Sequence, residues 1–517
     1  MVIVGIDLGT TYSAVSYMYE DGKPRILENQ DGEKTTPSVV MFQNFGGDDE
    51  PLVGTQAKQQ AKLMPEDLVQ YIKRFMGDPS WKFDSSTGKS YTPEEVSAII
   101  LKRLKTGAEL ALGKEVTHAV ITVPAYFDDA RRTATRNAGT IAGLEVVRVL
   151  NEPTAAALAY GFSSDENGII LVYDLGGGTF DATLMKKTDD NYEVLSTDGD
   201  RNLGGFDFDN LIINYVYEHL SEQGIETDDL SAEMEAEIRE KAEQAKRALS
   251  SVDSTLIHLV VDKKPIRVEI TKEEFDQLAS SLVKRTIEIT EDVLDESDVS
   301  WSDLDRILMI GGSTRMRIIK ETLEEKSGKE LKYEINPDEA VSLGAAVQAG
   351  IELVRLSKEN ADGVEVSEEI ISSVEKVNIE DVTSQSLGTK AIDSNTDKEY
   401  NHILIPRNSK IPASGGSSFV TVGSTSRISV VTTEGDETDI KYVNILGETD
   451  VDLGRVVEKG HPITIKLSYD IDQTIYGEVF DEETDKLLKT FEINRDNNMS
   501  ATQLKVASKN ITDLKIN

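Results

Sequence analysis

Two short segments constrain this chain more than any other feature: IDLGTT at Ile6 to Thr11 and YDLGGGT at Tyr173 to Thr179. Their aspartates, Asp7 and Asp174, stand 167 residues apart (174 − 7). Each segment ends an apolar strand run with an Asp and a glycine turn. After the first turn the alternating YSAVSYMY resumes a strand, so the turn is a hairpin and not a strand-to-helix loop. Such an echo implies two similar lobes facing a cleft, and a third glycine-rich strand end, RILMIGGSTR, supports the same reading. Around Gly9, and again at Gly176, Gly177 and Gly178, backbone amides can approach a phosphate closely because no Cβ intervenes. The hydroxyls of Thr10, Thr11 and Thr179 add donors. No Gly-x-x-x-x-Gly-Lys-Ser/Thr occurs, so this is not a P-loop.

Asp7, Asp174 and Asp181 supply hard oxygens to the same place, a donor set that suits Mg²⁺ bound through one or two carboxylates plus phosphates. Either aspartate alone would read as a solvated strand-end turn; the pair beside glycine loops reads as a metal and phosphate site. Gly311, Gly312, Ser313, Thr314 and Arg315 follow an apolar strand and precede a helical stretch, where glycines let backbone lie flat against a ligand. Taken alone, that string is a tight turn. On the helix predicted from Ala232 to Ser250, Glu243, Lys246, Arg247 and Ser250 fall at i, i+3 and i+4 spacings, which on charge alone is a solvated face. None of the five His has a second His or a Cys at metal-ligand spacing.

From Met1 to about Val377 apolar strand runs alternate with helical stretches such as Glu94 to Leu112, and a long polar helix is expected from near Pro337. The pattern is α/β. From about Val382 short alternating strands take over (HILIPRN, SSFVTVG, RISVVTT, PITIKLSYDID, TIYGEVFD), so a separate β domain is expected with KVNIEDV as the boundary. A chain of 517 residues needs at least two domains in any case. The formal net charge of −38 repels phosphate backbones and anionic lipid, which makes nucleic acid and membrane poor partners. Cysteine is absent, excluding disulfides and thiolate chemistry. The N-terminus runs into a strand without a basic n-region, and no apolar run is expected to reach the ~18 residues of a spanning helix. A cytoplasmic protein is expected.

The strings GIDLGTTYS, KRFMG, VITVPAYFDDARR, RVLNEPTAAALAYG, VYDLGGGTFD, LGGFDFDN, EQAKRALSS, MIGGSTRM and NPDEAVSLGAAVQAG, in this order, resemble the nucleotide-binding domain of the heat-shock-70 (DnaK-type) chaperones over about residues 1 to 377. The resemblance implies an α/β fold, an actin-like two-lobed ATPase domain (1–377), a linker (378–381), an all-β sandwich peptide domain (382–496) and a short tail (497–517). It implies ATP and ADP as ligands, with Mg²⁺ and an accessory K⁺. Carried over position by position, Asp7 and Asp174 hold the waters of Mg²⁺ and Lys73 orients the attacking water. Glu152, Thr179 and Asp181 complete that network. Gly9, Thr10, Thr11, Tyr12, Gly176, Gly177, Gly178, Gly204 and Gly205 surround the phosphates. Glu243, Lys246, Arg247, Ser250, Gly311, Gly312, Ser313, Arg315 and Asp338 clamp the adenosine. Pro124, Arg132 and Asp381 form a relay to the peptide domain, whose cleft is expected to be lined by Phe419, Ile428 and Val430.

The implied function is a stress-response chaperone in which ATP turnover controls binding of extended apolar peptides of unfolded proteins, with a J-domain co-chaperone and a nucleotide-exchange factor as partners. Four departures stand out. Arg201 occupies a position where the family has Thr. The linker carries Asn378 and Glu380 in place of aliphatic residues, which is expected to weaken its docking and leave coupling to Val377 and Ile379. The loop TKAIDSNTDKEYNH is polar where a short apolar one is expected. The tail after Asp496 has 21 residues (517 − 496), at most ~30 Å of helix, so no full lid is expected. Two rival readings remain: an actin-like ATPase whose β domain docks a specific partner, and an actin-like sugar kinase or filament protein.

Overall fold

The computed structural model of the chain describes all residues other than 46, 165, 262, 360–364, 472, 494–498 and 517. The expected boundary at residues 496 and 497 lies outside the described residues.

Two sheets carry the echo seen in the sequence. In the first, strands run in the order Glu145–Asn151, His118–Val123, Ile3–Asp7, Tyr12–Met18 and Pro24–Ile26. In the second the order is Arg306–Ile310, Gly168–Leu175, Phe180–Thr188, Asn191–Asp200 and Asn378–Glu380. Each sheet is built around one hairpin that has a third antiparallel strand on one side and a parallel strand on the other. The turns are hairpins as expected: Asp7 pairs with Ala14 and Asp174 with Asp181 across their ladders. Strands flanked by helices are buried on both faces, which is why VIVGID and IILVYDL are nearly continuous apolar runs.

The flanking helices begin where capping chemistry allows. Pro93–Leu112 opens with a Thr92/Glu95 capping box and Pro93 at its first position, and Lys272–Glu296 opens with a Thr271/Glu274 box. The stretch expected as a polar helix from near Pro337 is instead the mostly buried Ala340–Lys358. This 19-residue helix is long and apolar enough to cross a membrane by composition, contrary to the expectation that no such run exists. Its apolarity has another cause, since it packs against Ile3–Asp7 and the helix Glu152–Ser163 in the centre of the molecule. At Gly344 any Cβ would lie 1.7 Å from the Ala155 carbonyl oxygen, so only glycine permits this helix crossing.

The all-β part is a sandwich of two four-stranded sheets. One contains Leu387–Ile392, Glu399–Ile405, Thr425–Glu434 and Asn444–Val457, and the other Ala413–Val420, Pro462–Tyr469, Ile475–Asp481 and Lys486–Glu492. Residues Asn378–Glu380 join the second lobe's sheet as a parallel edge strand beside Asn191–Glu193. The polar residues expected to weaken this docking have partners of their own. Asn378 donates to Asn191 at 2.7 Å, and Glu380 pairs with Lys410 at 2.8 Å, while Val377 and Ile379 pack on the central core. The pairing is mainly backbone, so side-chain polarity costs it little. The sandwich itself meets the second lobe through Lys410–Glu193, Arg407–Glu296 and the Asn408 side chain, which accepts from the Thr197 amide.

Beyond the sandwich lies the helix Ala501–Asp513. It lies on the first lobe against Pro93–Leu112 and Asp129–Ile141, with Ala507 and Ile511 inside that lobe's core. Lys102 donates to the carbonyls of Ile511, Thr512 and Leu514 at 2.8–2.9 Å, the orphan acceptors of a helix C-terminus.

Candidate active site

Every element bearing a predicted catalytic residue ends at the same point between the lobes. Asp7 closes Ile3–Asp7, Asp174 and Asp181 face each other at the tip of the second hairpin, and Glu152 is the first residue of Glu152–Ser163. Lys73 sits on the single 3₁₀ turn Ile72–Phe75, only 5 % exposed and ion-paired with Glu152. Thr122 donates to Asp7 at 3.3 Å and the Tyr126 amide to Asp181 at 3.0 Å.

Four carboxylates thus share one ammonium. Burial, and then the Glu152 charge, pushes the Asp7 carboxyl up to about 7, with Lys73 opposing. Asp181 is pushed up to about 7 by burial and Glu152, and Asp174 well above the usual carboxylate range by burial and then by Glu152, Asp181 and Asp7. Burial would lower Lys73, but Glu152, Asp7 and Asp174 more than offset it and raise it. A cluster with this excess of negative charge fits a hard divalent cation. Among the described residues no three His, Cys, Asp or Glu side chains form a closed metal cage. The fit is therefore to a hydrated ion such as Mg²⁺, held by one or two carboxylates and by ligand oxygens.

The two glycine hairpins meet above this cluster. A Cβ on Gly177 would fall 1.8 Å from the Thr11 hydroxyl, and one on Gly204 would fall 2.4 Å from the Gly178 amide. The chain can be this close only without side chains, and the backbone amides are left to face an anion. Gly205 donates its amide to the Gly176 carbonyl at 2.9 Å, and Ser38 donates to the Gly9 carbonyl at 2.7 Å, fixing both turns.

A cavity of about 740 Å³ opens from the hairpins toward the helix Ala232–Leu249. Its walls include every predicted phosphate and adenosine residue apart from Gly178 and Gly204, and of the carboxylates Asp181 alone lies behind the wall. Lys246 is held at 2.8 Å by Asp209 and donates to the Gly205 carbonyl. Glu243 pairs with Lys58 at 3.0 Å and with Arg247, and these cations hold its carboxyl below the usual range although burial works the other way. Arg247 also donates to the Tyr12 hydroxyl. Ser250 caps the helix, Gly311 takes a φ of 80°, and Ser313 donates to the Gly176 carbonyl. Arg315 pairs with Asp338 at 2.8 Å and lies over the Tyr333 ring. A larger cleft of about 980 Å³ adjoins this cavity at Tyr12 and Tyr71, but Asp7, Lys73, Glu152 and Asp174 do not line it.

The relay residues are contiguous. Arg132 donates to Asn151 at 2.6 Å and to the Ala125 carbonyl, one residue beyond the buried Pro124, and Asn151 donates to Asp381 at 2.8 Å. Burial raises the Asp381 carboxyl, opposed by the Val382 amide and by Arg132. Asn151 precedes Glu152 directly, so the linker lies one peptide from the Lys73 partner. Arg201, the departure in the second lobe, pairs with Asp128 of the first at 3.0 Å. In the β part Val430 is 1 % exposed in the sandwich core, and Phe419 and Ile428 are half-buried against it. The polar loop beside them is a closed turn in which Asp393 accepts from the Asn395 and Thr396 amides.

Sequence reasoning missed Asn151, Asp209 and Lys58. The first two stand inside the quoted strings NEPT and FDFDN, which could have drawn attention to them. Lys58 had no signal, because only the closed lobes place it beside Glu243. Residues 3–511 match the family model described as Hsp70 protein.

Proposed function

The chain belongs to the Hsp70 family of ATP-binding chaperones, whose members are ATPases using ATP or ADP with Mg²⁺, and from that premise we propose that it hydrolyses ATP in this cleft with Lys73 as the group that positions the attacking water. The observation that carries the reading is the buried Lys73–Glu152 pair among Asp7, Asp174 and Asp181 beneath two touching glycine hairpins. Bound Mg²⁺ would supply charge neutralisation for the transferring phosphoryl group. Asp7 and Asp174 would hold its waters, and Thr10, Thr11 and the amides of the hairpins would grip phosphate oxygens. Glu152 keeps the Lys73 ammonium pointed at the reacting oxygens, while the Glu243–Arg247 helix and Arg315 orient the nucleoside. In phosphoryl transfer to water the protein contributes positioning and electrostatics, so a single fixed cation has a large effect on turnover. Family membership sets aside the sugar-kinase and filament readings.

The test is Lys73→Ala. Mg·ATP affinity is expected to stay within about threefold of wild type while single-turnover hydrolysis falls at least about 100-fold, because the ammonium acts mainly on the transition state. Hydrolysis at the wild-type rate would remove Lys73 from the mechanism.

Nucleotide state is proposed to reach extended apolar peptides through Glu152, Asn151, Asp381 and the edge strand Asn378–Glu380. A second reading, the β part as a docking module for a specific partner, is favoured by the closed polar turn at Asp393. Titrating a labelled apolar peptide with ADP and with ATP separates them: peptide binding in either state supports the first, and none in both supports the second.

A further inference from the structure

The turn that carries Lys73 is held from both sides by one side chain of the opposite lobe. Phe206, the second residue of the helix Gly205–Glu222, places its ring centroid 4.8 Å from that of Tyr71, two residues before Lys73. The guanidinium of Arg74, the residue after Lys73, lies 4.7 Å from the same centroid and reaches Asp207 at 3.3 Å. Arg239 of the helix Ala232–Leu249 approaches the ring at 4.9 Å. The Phe206 backbone points the other way, its amide donating to the Gly177 carbonyl at 2.8 Å. One residue therefore joins the second glycine hairpin to the Lys73 turn.

Tyr71 makes the arrangement more than incidental packing. It caps the turn Ile72–Phe75 with φ 59° and ψ 25°, the left-handed region that a bulky aromatic residue rarely adopts. Such a conformation persists only where surrounding contacts over-determine it, and the second lobe supplies the Phe206 ring and the Arg239 side chain, with the Asp209 charge nearby. The four-residue turn is anchored in the first lobe by Ile72 and by the Lys73–Glu152 pair, while Tyr71 and Arg74 reach across to the second lobe.

We propose that Phe206 is a positioning residue for hydrolysis: it couples the phosphate-holding hairpin of the second lobe to the Lys73 turn of the first, so that Lys73 reaches its working position only when the lobes are closed. The proposal rests on the ATPase reading above. A side chain that merely filled space between the lobes would alter nucleotide affinity and turnover together. One that aims Lys73 alters turnover selectively, because the ammonium does its work in the transition state.

The experiment is a double-mutant cycle on the full chain with single-turnover hydrolysis and Mg·ATP affinity measured side by side. Phe206→Ala is expected to slow hydrolysis at least about tenfold, as small misplacements of a catalytic group do, with affinity within about threefold of wild type. Phe206→Tyr restores the rate. Tyr71→Gly removes the ring while relieving the left-handed backbone, and it slows hydrolysis to the same extent. The double variant is no slower than the worse single one, because the two residues act as a unit. Lys73→Ala run alongside separates the two levels of the argument. If that variant hydrolyses normally, the ATPase reading itself fails. If it is inactive while Phe206→Ala and Tyr71→Gly turn over at the wild-type rate, or lose affinity and rate equally, the positioning role is overturned. Should Phe206→Ala not fold, Tyr71→Gly decides the question alone.

Discussion

Replacing Asp7 by Asn should stabilise the nucleotide-free protein above neutral pH, although it removes a residue assigned to the metal. The folded state raises the Asp7 carboxyl from 3.8 to about 7, so between these values it keeps a proton that the unfolded chain has released. Stability must then fall as pH rises through that window, and the full penalty of the ionised group is present above pH 7. A displacement of roughly 3 units corresponds to about 4 kcal/mol at 1.36 kcal/mol per unit. Asp7 faces the cleft, where water screens the charge, and its charge interacts with that of Asp174, so about 2 kcal/mol is the working figure. The neutral amide keeps the shape and removes the charge. For a large domain that gain raises the melting temperature by about 4 °C. Calorimetry at pH 5 and pH 8 is the assay: the gain should be full at pH 8 and smaller at pH 5. Mg·ATP should then raise the wild-type melting temperature at pH 8 more than that of the variant, since the cation neutralises the repulsion only where the carboxylate remains. A variant less stable than wild type at pH 8, or a gain that does not depend on pH, would refute the view that the site stores uncompensated negative charge.

Two further predictions concern the connections between parts. Asn151→Ala takes away the amide that joins Arg132 to the half-buried Asp381, at a cost of about 2 kcal/mol, and limited proteolysis between Val377 and Val382 should accelerate at least about tenfold; unchanged cleavage would mean that the edge-strand pairing alone holds the linker. Ile511→Ala deletes the most buried contact of the tail helix, worth about 3 kcal/mol, and hydrogen exchange over Ala501–Asp513 should rise by about 100-fold with the ATPase part intact; protection equal to wild type would show that the Lys102 bonds to its terminal carbonyls suffice.

The short-range features of this molecule were legible in its sequence because their causes are local. An Asp followed by glycines at the end of an apolar run specifies a hairpin tip, and a Thr three residues before a Glu specifies a helix start, whatever the rest of the chain does. The repetition of one such tip in IDLGTT and YDLGGGT announced two equivalent lobes with Asp7 and Asp174 at their strand ends. Other properties belong to no segment and required the tertiary structure. The helix Ala340–Lys358 has a composition that suits a lipid core or a protein core equally, and only its packing against Ala155 and Ile3–Asp7 shows which applies. Phe419, Ile428 and Val430 have the alternation of a strand lining a groove and of a strand filling a sandwich, and only the structure shows Val430 buried while Phe419 and Ile428 are half-buried against the core. Asn378 and Glu380 looked too polar to dock, yet a β-ladder pairs backbone groups and leaves the side chains to find partners at its edge. The raised carboxyls of Asp7, Asp174 and Asp181 come from charges brought together across 167 residues of chain (174 − 7). Coulomb repulsion and desolvation depend on distance and burial in space, and neither quantity exists until the lobes have closed.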